Sequence, residues 1–313
     1  MKYRRLGQAG MKVSAIALGG WTTFGESIKD GALAKEIITT AYERGINFFD
    51  IADAYAHGEA ERLMGSVLSQ FARHTLVISS KLYWPMSDEV NDRGLSRKHI
   101  MESVNKSLKR IGTDYLDIYF CHRYDPDTPL EEVVRAMDDL VHQGKVLYWG
   151  TSEWSGAQIA AVVGMARQYN LYPPQVEQPQ YNLLVRDRVE KEILPVVLAN
   201  GIGLTTFSPL ATGLLSGKYD DGLPEGSRLA RESGLRDRWY SEKPVAQVRK
   251  LAPIAEELGI NRAQLALAWL LHKPGVSSVI TGATSRSQLE NNIQAVDVAI
   301  SAEMIARIET AVA

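Results

Sequence analysis

From residue 15 onward the apolar residues fall into two alternating patterns: short unbroken runs that end in a polar residue, and longer stretches in which they recur every three or four positions. A short continuous run bounded by turn residues suits a strand buried on both faces, and the wider spacing suits a helix with one face on a core. The runs predict strands at 15–18, 47–50, 76–81, 116–122, 146–152, 175–178, 203–208 and 278–281. The stretches between them predict helices near 30–44, 59–70, 96–111, 129–143, 155–169, 187–200, a pair at 242–258 and 261–272, and 285–295, with a last helix over about 301–312. Gly45, Gly144 and Gly201 follow helical stretches where a left-handed stop is wanted. Ahead of this rhythm, 3–6 and 12–14 read as a small hairpin around a turn from Gly7 to Gly10.

Strand–helix alternation of this kind implies a parallel sheet joined by right-handed crossovers. Eight units in a chain of 313 residues suit a closed sheet better than an open doubly wound one. The first turn, Ala17-Leu18-Gly19-Gly20-Trp21, also lacks the spaced glycines of a dinucleotide fingerprint. The expected fold is therefore α/β: a (β/α)8 TIM barrel with an N-terminal β-hairpin and an extra C-terminal helix. No low-complexity tract or linker divides it, so 1–313 is expected to form one barrel domain.

Composition narrows the partners. A net charge of −2 and short basic clusters, such as Ser96-Arg97-Lys98-His99, give no hold on nucleic acid or on an anionic membrane. The single cysteine, Cys121, rules out an internal disulfide and suits a reducing compartment. The first residues lack the apolar stretch of a secretory signal, and no run approaches the ~18 apolar residues that span a bilayer. A cytoplasmic protein is expected. The histidines at 57, 74, 99, 122, 142 and 272 show no ligand spacing, so no metal is expected.

In a parallel barrel, reactive groups collect at the C-terminal ends of the strands. The second predicted barrel strand ends in Asp50, with Tyr55 in the loop beyond; the third ends in Lys81 and the fourth in His122. Strands about 5 Å apart bring such groups together. A phenol ionises near 10 in water, and an adjacent ammonium lowers that value and eases proton donation. Tyr55 is thus the candidate proton donor, Lys81 its electrostatic support and Asp50 the group that holds the lysine charged. His122 is the candidate partner for a substrate carbonyl.

The motifs Asp50-Ile51-Ala52-Asp53-Ala54-Tyr55, Ser79-Ser80-Lys81 and Cys121-His122-Arg123 resemble the tetrad motifs of the aldo-keto reductase superfamily. Gly94-Leu95-Ser96-Arg97-Lys98-His99-Ile100, Tyr148-Trp149-Gly150-Thr151-Ser152 and Ser208-Pro209-Leu210-Ala211-Thr212-Gly213 resemble more narrowly the branch that holds the β subunits of voltage-gated potassium channels. The resemblance implies reduction of aldehydes or ketones by hydride from NADP(H), with a tyrosine acid. Channel β subunits typically carry Asn where this chain has His122, so the set here is the complete one of the reductases. The rival it also implies is a regulatory subunit that binds NADP(H) and turns over little. Channel β subunits form tetramers, which makes a homo-oligomer an expectation by analogy alone.

The resemblance also places the cofactor. Phe207, Ser208, Pro209, Leu210, Ala211, Thr212 and Gly213 would wrap the pyrophosphate, with Lys218 and Arg228 as its charges. Gly282, Thr284, Arg286, Gln288, Asn291 and Asn292 would hold the adenosine 2′-phosphate and adenine, where a helix N-terminus suits an anion. The pattern departs there from many reductases, which carry Lys for Gly282, Arg for Gln288 and Glu for Asn291; Arg286 is the expected compensation, and use of NADH stays open. Ser152 and Gln178 would meet the nicotinamide amide, Tyr181 or Phe207 would stack on its ring, and Gly20 and Trp21 would border it. Glu153 stands where the channel subunits carry Arg. Trp21 and Trp84, with Tyr55 and His122, would line the substrate pocket, and the connection 220–241 would close over the cofactor as a lid.

Overall fold

A computed structural model of residues 1–313 closes eight parallel strands into a barrel. After the antiparallel hairpin of β1 (Tyr3–Arg5) and β2 (Lys12–Ser14) come β3 (Ile16–Gly19), β4 (Phe48–Asp50), β5 (Val77–Leu82), β6 (Leu116–Cys121), β7 (Val146–Ser152), β8 (Val176–Gln178), β9 (Gly203–Thr206) and β10 (Val276–Thr281). Around the barrel the order is β10-β3-β4-β5-β6-β7-β8-β9, every neighbour parallel, so the chain winds round once and β10 seals against β3. The (β/α)8 architecture with its N-terminal hairpin and C-terminal helix (Ala302–Ala311) is as the periodicity predicted. None of its helices is long and apolar enough to cross a membrane.

Alternation of side chains along each strand decides what the barrel encloses. Ala17, Phe48, Val77, Ile118, Phe120, Val176 and Ile280 meet inside it and form a core of their own. Leu6, Ala9 and Val13 from the hairpin complete that inner core, so β1 and β2 plug the N-terminal end of the barrel. The opposite faces of the strands pack against the helices in a second, larger core that includes Leu18, Phe49, Ile78, Tyr119 and Trp149. Continuing the inward positions up the strands reaches Gly19, Asp50, Ser79, Lys81, Ser152 and Gln178 in turn. Apolar floor and polar mouth are therefore one set of positions, read from bottom to top.

Local chemistry sets the helix ends. Ser155 and Asn261 form reciprocal caps with Gln158 and Gln264, and Ser96, Ser285 and Ser301 cap with their hydroxyls. Two predicted elements come out differently. The helix expected at 187–200 opens with a π-helical turn, Val189–Ile193, before Leu194–Asn200. Pro195 has no N–H for the preceding turn, which widens the ladder there. The strand expected to reach 208 stops at Thr206, because Ser208 takes a left-handed φ of 50° and turns the chain over the mouth.

The plug fits closely. Gln8 donates its backbone N–H to Gly201 at 2.8 Å, and a Cβ on Gly203 would stand 2.5 Å from the Gly7 nitrogen and 2.6 Å from Ser277 Oγ. The backbone has no room to yield without lifting the hairpin. Gly203→Ala is expected to destabilise the protein by about 1–3 kcal/mol and to lower its thermal midpoint by several degrees. An unchanged midpoint would mean that the hairpin is not held by this contact.

Candidate active site

The loop after β4 turns back over the mouth. Its backbone is left-handed at Ala56 and His57, and this tight turn (Tyr55–Gly58) sets Tyr55 beside β5. There Lys81, with none of its surface exposed, donates to Asp50 Oδ2 at 2.7 Å, to the Ile51 carbonyl at 2.8 Å and to Tyr55 Oη at 3.1 Å. Asp50 Oδ1 accepts from Ser79 Oγ at 2.8 Å and from Gln178 Nε2 at 3.0 Å. The His122 ring stands edge-on to Tyr55 with centroids 5.8 Å apart, and Trp84 stands edge-on to His122 at 6.3 Å. The four residues singled out in the sequence thus converge at one point.

Burial and charge set their protonation. Burial lowers the Lys81 pKa, but the Asp50 carboxylate and the hydrogen bonds to Asp50 and Tyr55 outweigh it and raise the value, so the ammonium persists. Burial, with the charges of Lys81 and Arg123, drives His122 well below the usual imidazole range. It is neutral at physiological pH, and its buried Nδ1 has no partner. The expectation that Lys81 leaves the phenol more acidic than in water is not met. Burial, joined by the Asp50 charge, raises the Tyr55 pKa despite the charge and hydrogen bond of Lys81, which lower it. The ring is only part-buried and borders the cleft, so water relieves some of that cost before a ligand enters.

These groups form one end of a cleft of about 790 Å³. Trp21, Asp50, Tyr55, Trp84, His122, Ser152 and Gln178 line it, followed by Phe207, Ser208, Pro209, Leu210, Thr212 and Gly213, with Lys218 and Arg228. Gly282, Thr284, Gln288, Asn291 and Asn292 complete the far end. Phe207 meets Trp21 edge-on at 6.5 Å. The turn that follows is left-handed at Ser208, Ala211, Thr212 and Gly213, which keeps the chain close over the mouth. Arg228 is mostly buried and is paired with no carboxylate; desolvation lowers its pKa, a cost that a bound anion would offset.

Several expected positions lie outside the cleft lining or are already engaged by neighbours. Lys81 sits behind Asp50 and Tyr55 and does not itself line the cleft. Gly20 points into the helix layer, where a Cβ would stand 3.1 Å from Met64 Sδ, and Gly19 lines the cleft instead. Alternation along β3 carried that signal, since Gly19 shares its face with Ala17. Ala211 is buried in the outer core. Arg286 is turned to Glu290, 3.3 Å away, and that carboxylate also binds Arg44. The Asn291 carboxamide accepts from Asn261 at 2.6 Å and Gln264 at 3.1 Å. Tyr181 is buried, its hydroxyl donating to Glu190 at 2.8 Å, and is no candidate for stacking in the cleft.

The segment from Asp220 to Ser241 holds two short helices, Arg228–Arg231 and Ser233–Trp239. It roofs the cleft with Arg231, Leu235, Arg238 and Trp239, none of which the sequence motifs pointed to. Arg123 lines the mouth as well. Glu153, at a left-handed φ of 60°, is held by Arg188 at 3.1 Å and by the Gln180 N–H at 2.5 Å.

Behind the tyrosine loop lies a buried polar group. Asp53 accepts from the Ala54 N–H at 2.6 Å and from Ser103 Oγ at 3.0 Å, beside Glu61, which takes Ser80 Oγ at 2.6 Å and pairs with Arg110. Burial and the Glu61 charge push the Asp53 carboxyl up to about 7.

The Aldo/keto reductase family model matches residues 15–313. The chain is similar to a probable voltage-gated potassium channel subunit beta of Arabidopsis thaliana, 48% identical over 303 residues that cover 95% of this chain and 92% of the relative. A protein of the same description from Oryza sativa subsp. japonica is 46% identical over 319 residues, covering 100% of this chain and 97% of the relative.

Because Asp53 ionises near 7 when folded and near 4 when unfolded, the folded state loses stability as pH rises between those values. Asp53→Asn removes that loss. The difference in thermal midpoint, variant minus wild type, is expected to move in favour of Asn from pH 5 to pH 8; a difference that is constant over this range would exclude a shifted Asp53.

Proposed function

Because the chain belongs to the aldo/keto reductase family, we propose that residues 1–313 act as one catalytic domain that reduces aldehydes or ketones with NADPH, Tyr55 being the acid. The observation that carries this reading is the chain of contacts from Asp50 through the buried Lys81 ammonium to the Tyr55 hydroxyl, beside a neutral His122. NADPH, when bound, supplies a hydride to the carbonyl carbon. Everything else falls to the protein. Tyr55 Oη gives its proton to the carbonyl oxygen, and the Lys81 charge, 3.1 Å away, stabilises the phenolate left behind. Asp50 keeps that ammonium charged and aimed. A neutral His122 hydrogen-bonds the substrate oxygen without adding a second positive charge beside Lys81.

The cleft fits the cofactor by its donor set. Ser152 and Gln178 stand at the ends of β7 and β8 for the nicotinamide amide, and Phe207 and Trp21 flank its ring. Ser208 to Gly213, with Lys218 and Arg228, take the pyrophosphate; Gly282 leaves room beside Thr23 and Arg228, where a Cβ would come within 3.1 Å of Thr23 Oγ1. Thr284, Gln288, Asn291 and Asn292 take the adenosine. Its 2′-phosphate lacks a cation in the cleft lining there, since Arg286 is paired with Glu290, so Arg286 must exchange partners to favour NADPH over NADH. The names of the similar plant proteins support a second reading, a channel-associated subunit that holds NADP(H) and turns over little. The complete tetrad favours the enzyme.

Tyr55→Phe is expected to lower turnover of a generic aldehyde by roughly 10²–10⁴ while NADPH fluorescence quenching on binding persists; equal turnover would remove Tyr55 from the mechanism, and negligible wild-type turnover with tight NADPH binding would favour the regulatory reading. Arg228→Met is expected to weaken NADPH binding by roughly tenfold or more, the worth of one charge-assisted contact. Unchanged quenching titrations in that variant would place the phosphates elsewhere.

A further inference from the structure

We infer that the carbonyl compounds taken by this cleft carry an anionic group, a carboxylate or a phosphate, and that Arg123 recognises it; this rests on the reductase reading of the site. Arg123 follows His122 directly at the end of β6. In the closed order of strands β6 lies four places from β10 in either direction, so Arg123 stands across the mouth from the loop after β10. The loop after β9 is three places away. The positions assigned to the cofactor phosphates are thus on the other side of the cleft, and Arg123 is not needed for them.

Its surroundings leave it without a counter-charge. The guanidinium lies 5.4 Å from the Trp84 ring centroid and donates to its own neighbour, the His122 carbonyl, at 2.5 Å. It forms no salt bridge. Asp125, two residues on, is committed elsewhere: it accepts from the Leu95 N–H at 2.7 Å, the Thr128 hydroxyl at 2.8 Å and the Asp127 N–H at 3.1 Å. A cation–π contact with the Trp84 ring leaves most of the guanidinium's five donors free, and those donors match the paired oxygens of a carboxylate or phosphate. Its charge already reaches the two groups that face the substrate carbonyl, lowering the proton affinity of Tyr55 and of His122.

A second cation lines the same cleft. Arg238, from the roof helix, binds only a neutral amide oxygen, Gln180 Oε1, at 2.8 Å. Two of the carboxylates that line the cleft are already paired, Asp50 with Lys81 at 2.7 Å and Glu153 with Arg188 at 3.1 Å. Glu26 and Glu225 also line the cleft, the first on the loop after β3 and the second on the roof segment.

The test compares 4-carboxybenzaldehyde with its neutral isostere 4-carbamoylbenzaldehyde, and glyceraldehyde 3-phosphate with glyceraldehyde, using the full chain and NADPH. Wild type is expected to favour the anionic member of at least one pair in kcat/KM, and Arg123→Gln to reduce that ratio by roughly ten- to hundredfold. Arg123→Lys, which keeps the charge, is expected to retain part of it and guards against a simple failure to fold. The pair that responds tells carboxylate from phosphate. A ratio near one in wild type, or one unchanged in Arg123→Gln, overturns the assignment. Calorimetry of benzoate against benzamide on the NADP⁺-loaded protein reads the same preference without turnover. Arg123-dependent benzoate binding with no aldehyde reduced upholds the anion site and sinks the reductase reading; reduction of both members equally does the reverse.

Discussion

A single buried ion pair organises the top of this barrel. The Lys81 ammonium is fully buried, and its charge survives because Asp50, the Ile51 carbonyl and the Tyr55 hydroxyl accept hydrogen bonds from its three N–H groups. Asp50 in turn keeps its other oxygen satisfied through Ser79 and Gln178. One lysine therefore ties β4, β5, β8 and the tyrosine loop together. A buried pair of this kind adds little net stability but is costly to break, since removing one member strands the other. The fold at the mouth and the chemistry proposed for it depend on the same contact.

What lies beneath makes that contact strong. The hairpin closes the bottom of the barrel, and Phe48, Val77, Ile118 and Phe120 fill its interior. With an apolar floor under the mouth, charges act on each other through little solvent. His122 shows the consequence: placed near Lys81 and Arg123 and taken out of water, it stays neutral. The rise in the Tyr55 pKa has the same origin, with burial working against the charge of the lysine. The site is arranged so that a phenolate costs a great deal unless Lys81 is there to face it.

Positive charge is distributed around the cleft rather than gathered at one point. Lys218 and Arg228 lie towards β9 and β10, Arg123 across the mouth, and Arg231 and Arg238 in the roof. None is neutralised by a salt bridge, and the desolvation of Arg228 is only partly compensated by Glu232 and Glu26. The roof segment, two short helices in place of an open loop, gives these arginines defined positions over the cleft.

Much of this was legible in the residues alone. Strand order, barrel closure and the tetrad follow from local patterns, because hydrophobic period, glycine stops and strand-end residues report on structure within a few positions. Alternation even distinguishes Gly19 from Gly20, although only the folded strand made that choice visible. What no local pattern carries is which long side chain meets which. Arg286 faces Glu290, a carboxylate it shares with Arg44, instead of the cleft, and the Asn291 side-chain oxygen is committed to Asn261 and Gln264. Tyr181 turns its hydroxyl to Glu190, and Arg123 is left beside Trp84 with no acid to bind. The order of the strands was written along the chain. The pairing of charges was decided only when distant segments came within a few ångströms, where burial and Coulomb attraction compete pair by pair.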